Sequence, residues 1–229
     1  MPLHLLGIAR SGDIASLPRL EGTIAAPCSS AIQWVVHGQL AAAAVWPLSA
    51  TFEPLEQAAL LAAIHTHISI LPMRYGTVLP DEEAVRHFLS NRCDNLLRDL
   101  VRVAGAGEVG LRIDLTEPVP RPYSPKEQDE HLPVSSPCQY LALRRQRYEF
   151  RDRLDRQVQL VTEDFVQAMH GLYGDWRTLT STVPTVVRLA FLVQRKLWTV
   201  FRQRLETKIL EQASRRCTLL GPWPPYSFV

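Results

Sequence analysis

A chain of 229 residues with 46% apolar and 21% charged positions carries enough hydrophobic material for one large core or two smaller ones, which excludes a wholly disordered chain. Its 25 basic and 23 acidic residues leave a formal charge of +2, so no long-range field selects nucleic acid or anionic lipid. The longest apolar stretch, around residues 40–45, is too short to span a bilayer, and the first residues lack the basic flank and long apolar core of an export signal; a cytoplasmic setting is expected.

In chain order, residues 3–8 form an apolar run that stops at Ser11, Gly12 and Asp13, which predicts a first strand entering a loop through Pro18, Gly22 and Pro27. Residues 32–36 and 40–45 are two β-compatible runs joined at His37, Gly38 and Gln39, which predicts a hairpin even though Ala41 to Ala44 are poor strand formers. Pro54 suits the first turn of a short helix reaching His65, with Leu55, Ala58, Ala59 and Ala62 on one face. A strand resumes over residues 68–73, and Pro72, which has no N–H for a ladder, places it at an edge or bulge. Asp81 then caps a helix with Glu82 and Glu83 in its first turn and Val85, Phe88, Leu89, Leu96, Leu97 and Leu100 on its buried side. Gly105 and Gly107 end it, and residues 108–114 alternate like a closing strand. Residues 1–115 are thus expected to form an N-terminal α+β domain, its sheet covered by helices on one face.

Six prolines between Pro118 and Pro137, with almost no apolar periodicity, mark residues 116–137 as an interdomain linker. Residues 138–220 are expected to form a second domain. It opens with a long helix whose stripe is Leu143, Phe150, Leu154, Val158, Val161, Phe165 and Met169. Glu149 precedes Arg153 and Asp152 precedes Arg156 by four residues, spacings expected to give ion pairs of roughly a few tenths of a kcal/mol each. Arg144, Arg145, Arg147 and Arg151 are interleaved with acids and lack an RNA-binding aromatic signature, so they read as a solvated or partner-facing side. A strand over residues 185–193, a helix carrying Leu197, Val200, Phe201, Leu205 and Ile209, and a strand over 216–220 follow, leaving 221–229 as a C-terminal tail.

The inventory of reactive groups points away from an enzyme. Cys28, Cys93, Cys138 and Cys217 have neither C-x-x-C spacing nor a neighbouring histidine, and read as free thiols. His65 and His67 lack a third ligand, Gly105-Ala106-Gly107 lacks the context of a dinucleotide loop, and no nucleophile elbow occurs. No catalytic residue, metal or cofactor is expected.

Two segments are unusual enough to suggest a relationship: Leu71-Pro72-Met73-Arg74-Tyr75-Gly76-Thr77-Val78 and Leu220-Gly221-Pro222-Trp223-Pro224-Pro225-Tyr226-Ser227-Phe228-Val229. Supporting features are Leu5-Leu6-Gly7-Ile8, Glu108-Val109-Gly110-Leu111-Arg112-Ile113, Tyr140-Leu141 with Arg144-Arg145, and Ala190-Phe191-Leu192-Val193. Together they resemble the GvpL/GvpF gas vesicle family along nearly the whole chain, with Pro137-Cys138-Gln139 replacing the glycine usual before the Tyr-Leu pair and a short stretch at 170–184. The resemblance implies an α+β protein of two small domains with ferredoxin-like elements, antiparallel sheets packed with helices, and an extended C-terminal tail. It implies an accessory or minor structural protein of gas vesicle formation, in the cytoplasm or at the vesicle. The implied partners are the hydrophobic shell protein GvpA and other accessory proteins, with no nucleic acid and no membrane span.

On that reading Arg74, Tyr75, Gly76, Trp223, Tyr226 and Phe228 are the candidate interaction or structural residues. Gly76 permits a tight turn, and Arg74 can bond backbone carbonyls or a buried carboxylate. Burying Trp223, Tyr226 and Phe228 is worth roughly 1.5–3 kcal/mol each, against about 1 kcal/mol per ordered residue, reduced by Pro222, Pro224 and Pro225. The two sides nearly cancel, so docking on the protein's own core and docking on a partner both stay open. The alternative function is a ferredoxin-like small-molecule-binding regulator, since such folds host ligands between elements.

Overall fold

The computed structural model describes residues 2–17, 32–46, 53–115, 137–212 and 215–229. The expected loop at Pro18 to Pro27 and the linker up to residue 136 lie outside the described residues. Strand β1 (Leu3–Arg10) runs into a 3-10 turn at Ser11–Ser16, where a loop was expected. Strands β2 (Ile32–His37) and β3 (Leu40–Val45) form the expected antiparallel hairpin, in register from Ile32 opposite Val45 to His37 opposite Leu40. β3 also pairs antiparallel with β1, and β1 carries two further short partners, β4 (Leu71–Pro72) and β5 (Val78–Leu79). The sheet order β2-β3-β1-β4 leaves Pro72 on an edge, where its missing donor costs nothing.

Helices α1 (Pro54–His67), α2 (Glu82–Asn91) and α3 (Cys93–Arg102) accompany this sheet. Ile32 and Trp34 pack against a core cluster that joins Ala43 and Val45 of β3 to Leu60, Leu61 and Ile64 of α1. Gln33, which alternation points to the other face, donates to Glu82 at the start of α2. Helices therefore lie on both faces rather than one. This explains the alanine run: every residue of β3 is at most 2% exposed, and small side chains suit a central strand with a layer above and below.

The single helix expected after Asp81 is two, broken at Arg92 (φ −117°, ψ 12°). The buried residues Val85, Leu89, Leu96 and Leu100 keep helical spacing across the break, so periodicity alone does not reveal it. The expected cap is present, with the Asp81 carboxylate accepting from the Ala84 N–H at 2.8 Å. Replacing Asp81 by alanine is expected to lower stability by about 1 kcal/mol, measured by urea denaturation, because that N–H loses its acceptor and the helix terminus its negative charge.

A second sheet has the order β7-β8-β6-β9, from β6 (Ala106–Asp114), β7 (Asp175–Thr178), β8 (Val186–Gln194) and β9 (Arg216–Trp223). β7 is short and largely exposed, and nothing in its composition announces it. Helix α4 (Pro137–Ala168) is held through Leu154, Val161 and Phe165, with Met169 buried just beyond it, and α5 (Trp198–Glu211) contributes Phe201 and Leu205. Lys208 joins Asp164 at 2.7 Å, and that hydrogen bond is the main cause raising the lysine pKa. The ion pairs expected within α4 are absent among the described residues; Glu149 pairs instead with Arg145, at 2.7 Å.

Packing divides the chain into two compact units that are not consecutive segments. One comprises Met1–Val109, Phe191–Trp198 and Gly221–Val229; the other comprises Gly110–Ala190 and Thr199–Leu220. The architecture is α+β, sheets packed with helices, and no described helix is long and apolar enough to cross a membrane.

Candidate functional site

The six candidate residues fall at two places in the first unit. Arg74, Tyr75 and Gly76 form the turn between β4 and β5 on the β1 edge. The Arg74 carbonyl accepts from the Thr77 N–H at 3.1 Å and its hydroxyl at 2.7 Å, and Gly76 sits at φ 81°, a conformation that L side chains rarely adopt. Met73 donates to Leu6 and Leu5 donates to Thr77, which staples the loop to the sheet. The Arg74 side chain is exposed and pairs with no buried carboxylate among the described residues, while Tyr75 is 46% exposed. The turn geometry explains the glycine; the arginine and tyrosine face outward.

The expected tail begins inside β9, which runs past Leu220 to Trp223. Gly221, at φ 98°, passes so close to β6 that a Cβ would lie 2.7 Å from the Glu108 carbonyl oxygen, so only glycine fits both the backbone and the space. Pro224 and Pro225 are buried, a 3-10 turn covers Tyr226–Phe228, and Phe228 is 0% exposed. The tail therefore closes its own unit. Ser227 donates through both its N–H and its hydroxyl to the Glu108 carboxylate, each at 2.7 Å, and Arg102 donates to the Phe228 carbonyl. Glu108 is only 5% exposed, and these two bonds to Ser227 provide the stabilisation a buried carboxylate needs.

Burial and the nearby Glu108 charge raise the Tyr226 pKa, yet the residue remains 42% exposed, and Trp223 is 44% exposed. The docked tail thus separates the three aromatics, with Phe228 inside and Trp223 and Tyr226 outside.

Beneath the tail lies a polar cluster that sequence reading missed. Arg195 donates to the carbonyls of His65, Thr66 and Ile68, placing a cation at the C-terminal end of α1 where the helix dipole favours it. His65 is buried, and neither ring nitrogen has a hydrogen-bond partner among the described residues. Burial, reinforced by the Arg195 charge, lowers its pKa from 6.5 to about 4, so it is neutral at pH 7. A Cβ on Gly107 would lie 3.1 Å from the His65 ring, 2.8 Å from Trp198 and 3.3 Å from the Trp223 carbonyl. The signal available for Glu108 was an acid in the run Ala106 to Leu111, whose other residues are apolar or glycine; its partner lies 119 residues away. For Arg195 there was none. Arg195 and Glu108 are occupied in holding backbone, while the buried His65 ring makes no hydrogen bond among the described residues.

Comparison with known proteins points one way. The family model described as "Gas vesicle synthesis protein GvpL/GvpF" matches residues 5–229. The chain is 28% identical over 181 residues to gas vesicle protein L of a Streptomyces species, covering 74% of this chain and 66% of that one. It is 26% identical over 178 residues to gas vesicle protein L of Haloferax mediterranei, covering 69% and 55%. The match thus spans less than two thirds of either relative's own length. In fold, it is similar to the crystal structure of gas vesicle protein GvpF from Microcystis aeruginosa, with a TM-score of 0.72, 14% identity and coverage of 99% and 98%.

Proposed function

The chain belongs to the GvpL/GvpF family of gas vesicle synthesis proteins, and from that premise we propose that it is an accessory or minor structural protein that binds the shell protein GvpA and other accessory proteins during vesicle assembly. It works by contact, not by bond-making, in the cytoplasm and at the vesicle. A shell subunit awaiting assembly presents apolar surface, so its handler must offer apolar contact while remaining folded itself. The observation that carries the reading is the exposure of Trp223 and Tyr226 on a backbone anchored by Pro224, Pro225 and Phe228. Two aromatic anchors held in place before binding lose little entropy on association, and such residues dominate interface energies. The exposed Tyr75 on its stapled turn offers a second contact of the same kind; Arg74 beside it adds a charge for the rim of the contact.

The test is affinity capture of co-expressed shell protein by the full chain and by Trp223→Ala/Tyr226→Ala. Both residues are partly exposed, so the variant should lose some stability yet still melt cooperatively from a folded state, while capture falls at least about tenfold. Undiminished capture by the double variant would remove the tail aromatics from the mechanism.

A further inference from the structure

Helix α4 has 32 residues, so it is about 48 Å long. Among the residues whose burial is described, Leu154, Val161 and Phe165 in its second half are buried, whereas Leu141, Arg144, Arg145, Arg147, Tyr148, Glu149, Arg151, Asp152 and Arg153 are all exposed. Leu141 (61% exposed) and Tyr148 (54%) are seven residues apart and share a face, roughly opposite the side that carries Leu154 and Val161. That outward stripe is flanked by Arg144 and Arg151 on one side and Arg145 and Arg156 on the other. Arg144 lies over the Tyr148 ring at 5.6 Å and Arg145 is paired with Glu149, whereas Arg151 and Arg156 enter no ion pair among the described residues.

Charge distribution indicates what the stripe receives. Residues 144–156 hold six arginines against three acids, a local excess of three, which leaves 19 basic and 20 acidic residues in the rest of the chain. The whole positive excess of the protein is thus concentrated on one exposed stretch of helix. A second copy would bring the same excess against itself. Nucleic acid would set its charged backbone against the exposed aliphatic Leu141, which it has no apolar surface to cover. An acid-rich helix with its own apolar stripe fits both features: its leucines cover Leu141 and Tyr148, and its flanking carboxylates meet Arg151 and Arg156, the excess of three arginines outweighing Asp152 and Asp155.

We propose that residues 141–156 of α4 form a docking arm for an acid-rich amphipathic helix of a partner protein. This does not rest on the role assigned to the tail, which lies in the other compact unit.

The full chain is titrated against a fluorescent peptide of about three heptads, with leucine at a and d and glutamate at e and g, and against a scrambled peptide of the same composition. The expected result is binding of the patterned peptide that weakens as salt rises from roughly 50 to roughly 300 mM. Arg151→Glu/Arg156→Glu and Tyr148→Ala should each weaken it, the charge reversal by about tenfold or more. Arg188→Glu/Arg204→Glu, which reverses two exposed arginines elsewhere, should change it less than about threefold. Equal binding of the scrambled peptide, equal loss in the two reversal variants, or no binding at roughly 100 μM peptide and low salt would overturn the proposal. Tighter binding of single-stranded RNA, or of anionic phosphatidylserine vesicles, that is lost with Arg151→Glu/Arg156→Glu would also overturn it.

Discussion

Phe228→Ala is expected to destabilise the protein by about 3–5 kcal/mol, the usual cost of truncating a fully buried phenylalanine. The ring is 0% exposed and lies next to Ser227, so losing it removes the apolar contribution that holds the last turn of the tail in place. The effect extends past the cavity. Without the last turn, the Glu108 carboxylate loses the Ser227 N–H and hydroxyl and becomes a buried charge without those donors. Urea denaturation measures the global term, and exchange of the Ser227 amide measures release of the tail. If the unfolding free energy falls by less than about 1 kcal/mol, the tail lies outside the cooperative core and Phe228 is not the anchor described here.

Stability should fall by about 3 kcal/mol through His65 alone as the pH drops from 7 to 4. Its pKa is about 4 in the folded protein and 6.5 as an ordinary histidine. Above pH 6.5 the ring is neutral in both states and titration has no effect. Between 6.5 and 4 the unfolded chain binds a proton that the folded protein refuses, because the charge would be buried beside the Arg195 guanidinium, so acid favours unfolding. Below 4 both states are protonated and the loss is complete. Carboxylates titrate near the lower end of this range, so the measurement is the difference between the wild type and His65→Leu in urea denaturation at pH 7, 5.5 and 4. The variant should lose less stability on acidification than the wild type by about that amount. Parallel curves for the two proteins would show that His65 is solvated or hydrogen-bonded in solution.

Much of the secondary structure was legible because its causes are local. The hairpin at His37 to Gln39, the cap at Asp81 and the long stripe of α4 each follow from residues within a few positions of one another. The break at Arg92 was hidden because the buried spacing continues through it, and β7 was missed because four largely exposed residues carry no period. The ion pair expected for Glu149 was placed on the wrong partner, since Glu149 has an arginine four residues away in both directions and only rotamers choose between them.

The candidate site divides in the same way. Gly76 could be read as a turn-maker because its demand is on its own φ and ψ angles, whereas the close approach of Gly221 to the Glu108 carbonyl is a tertiary contact. Family resemblance likewise rested on contiguous motifs. Which aromatic of the tail would be buried was another matter: Trp223, Tyr226 and Phe228 have similar apolar value in a free chain, and the choice was made by Glu108 and Arg102, more than a hundred residues away. The Arg195 clasp on the end of α1 and the buried, neutral His65 are also products of contacts between segments distant in the chain. Composition and short-range pattern were enough for the element types, the turns and the family. Tertiary packing decided which groups lost their water, and desolvation is what turned an ordinary acid, histidine and phenylalanine into the parts that hold the tail and leave Trp223 and Tyr226 facing out.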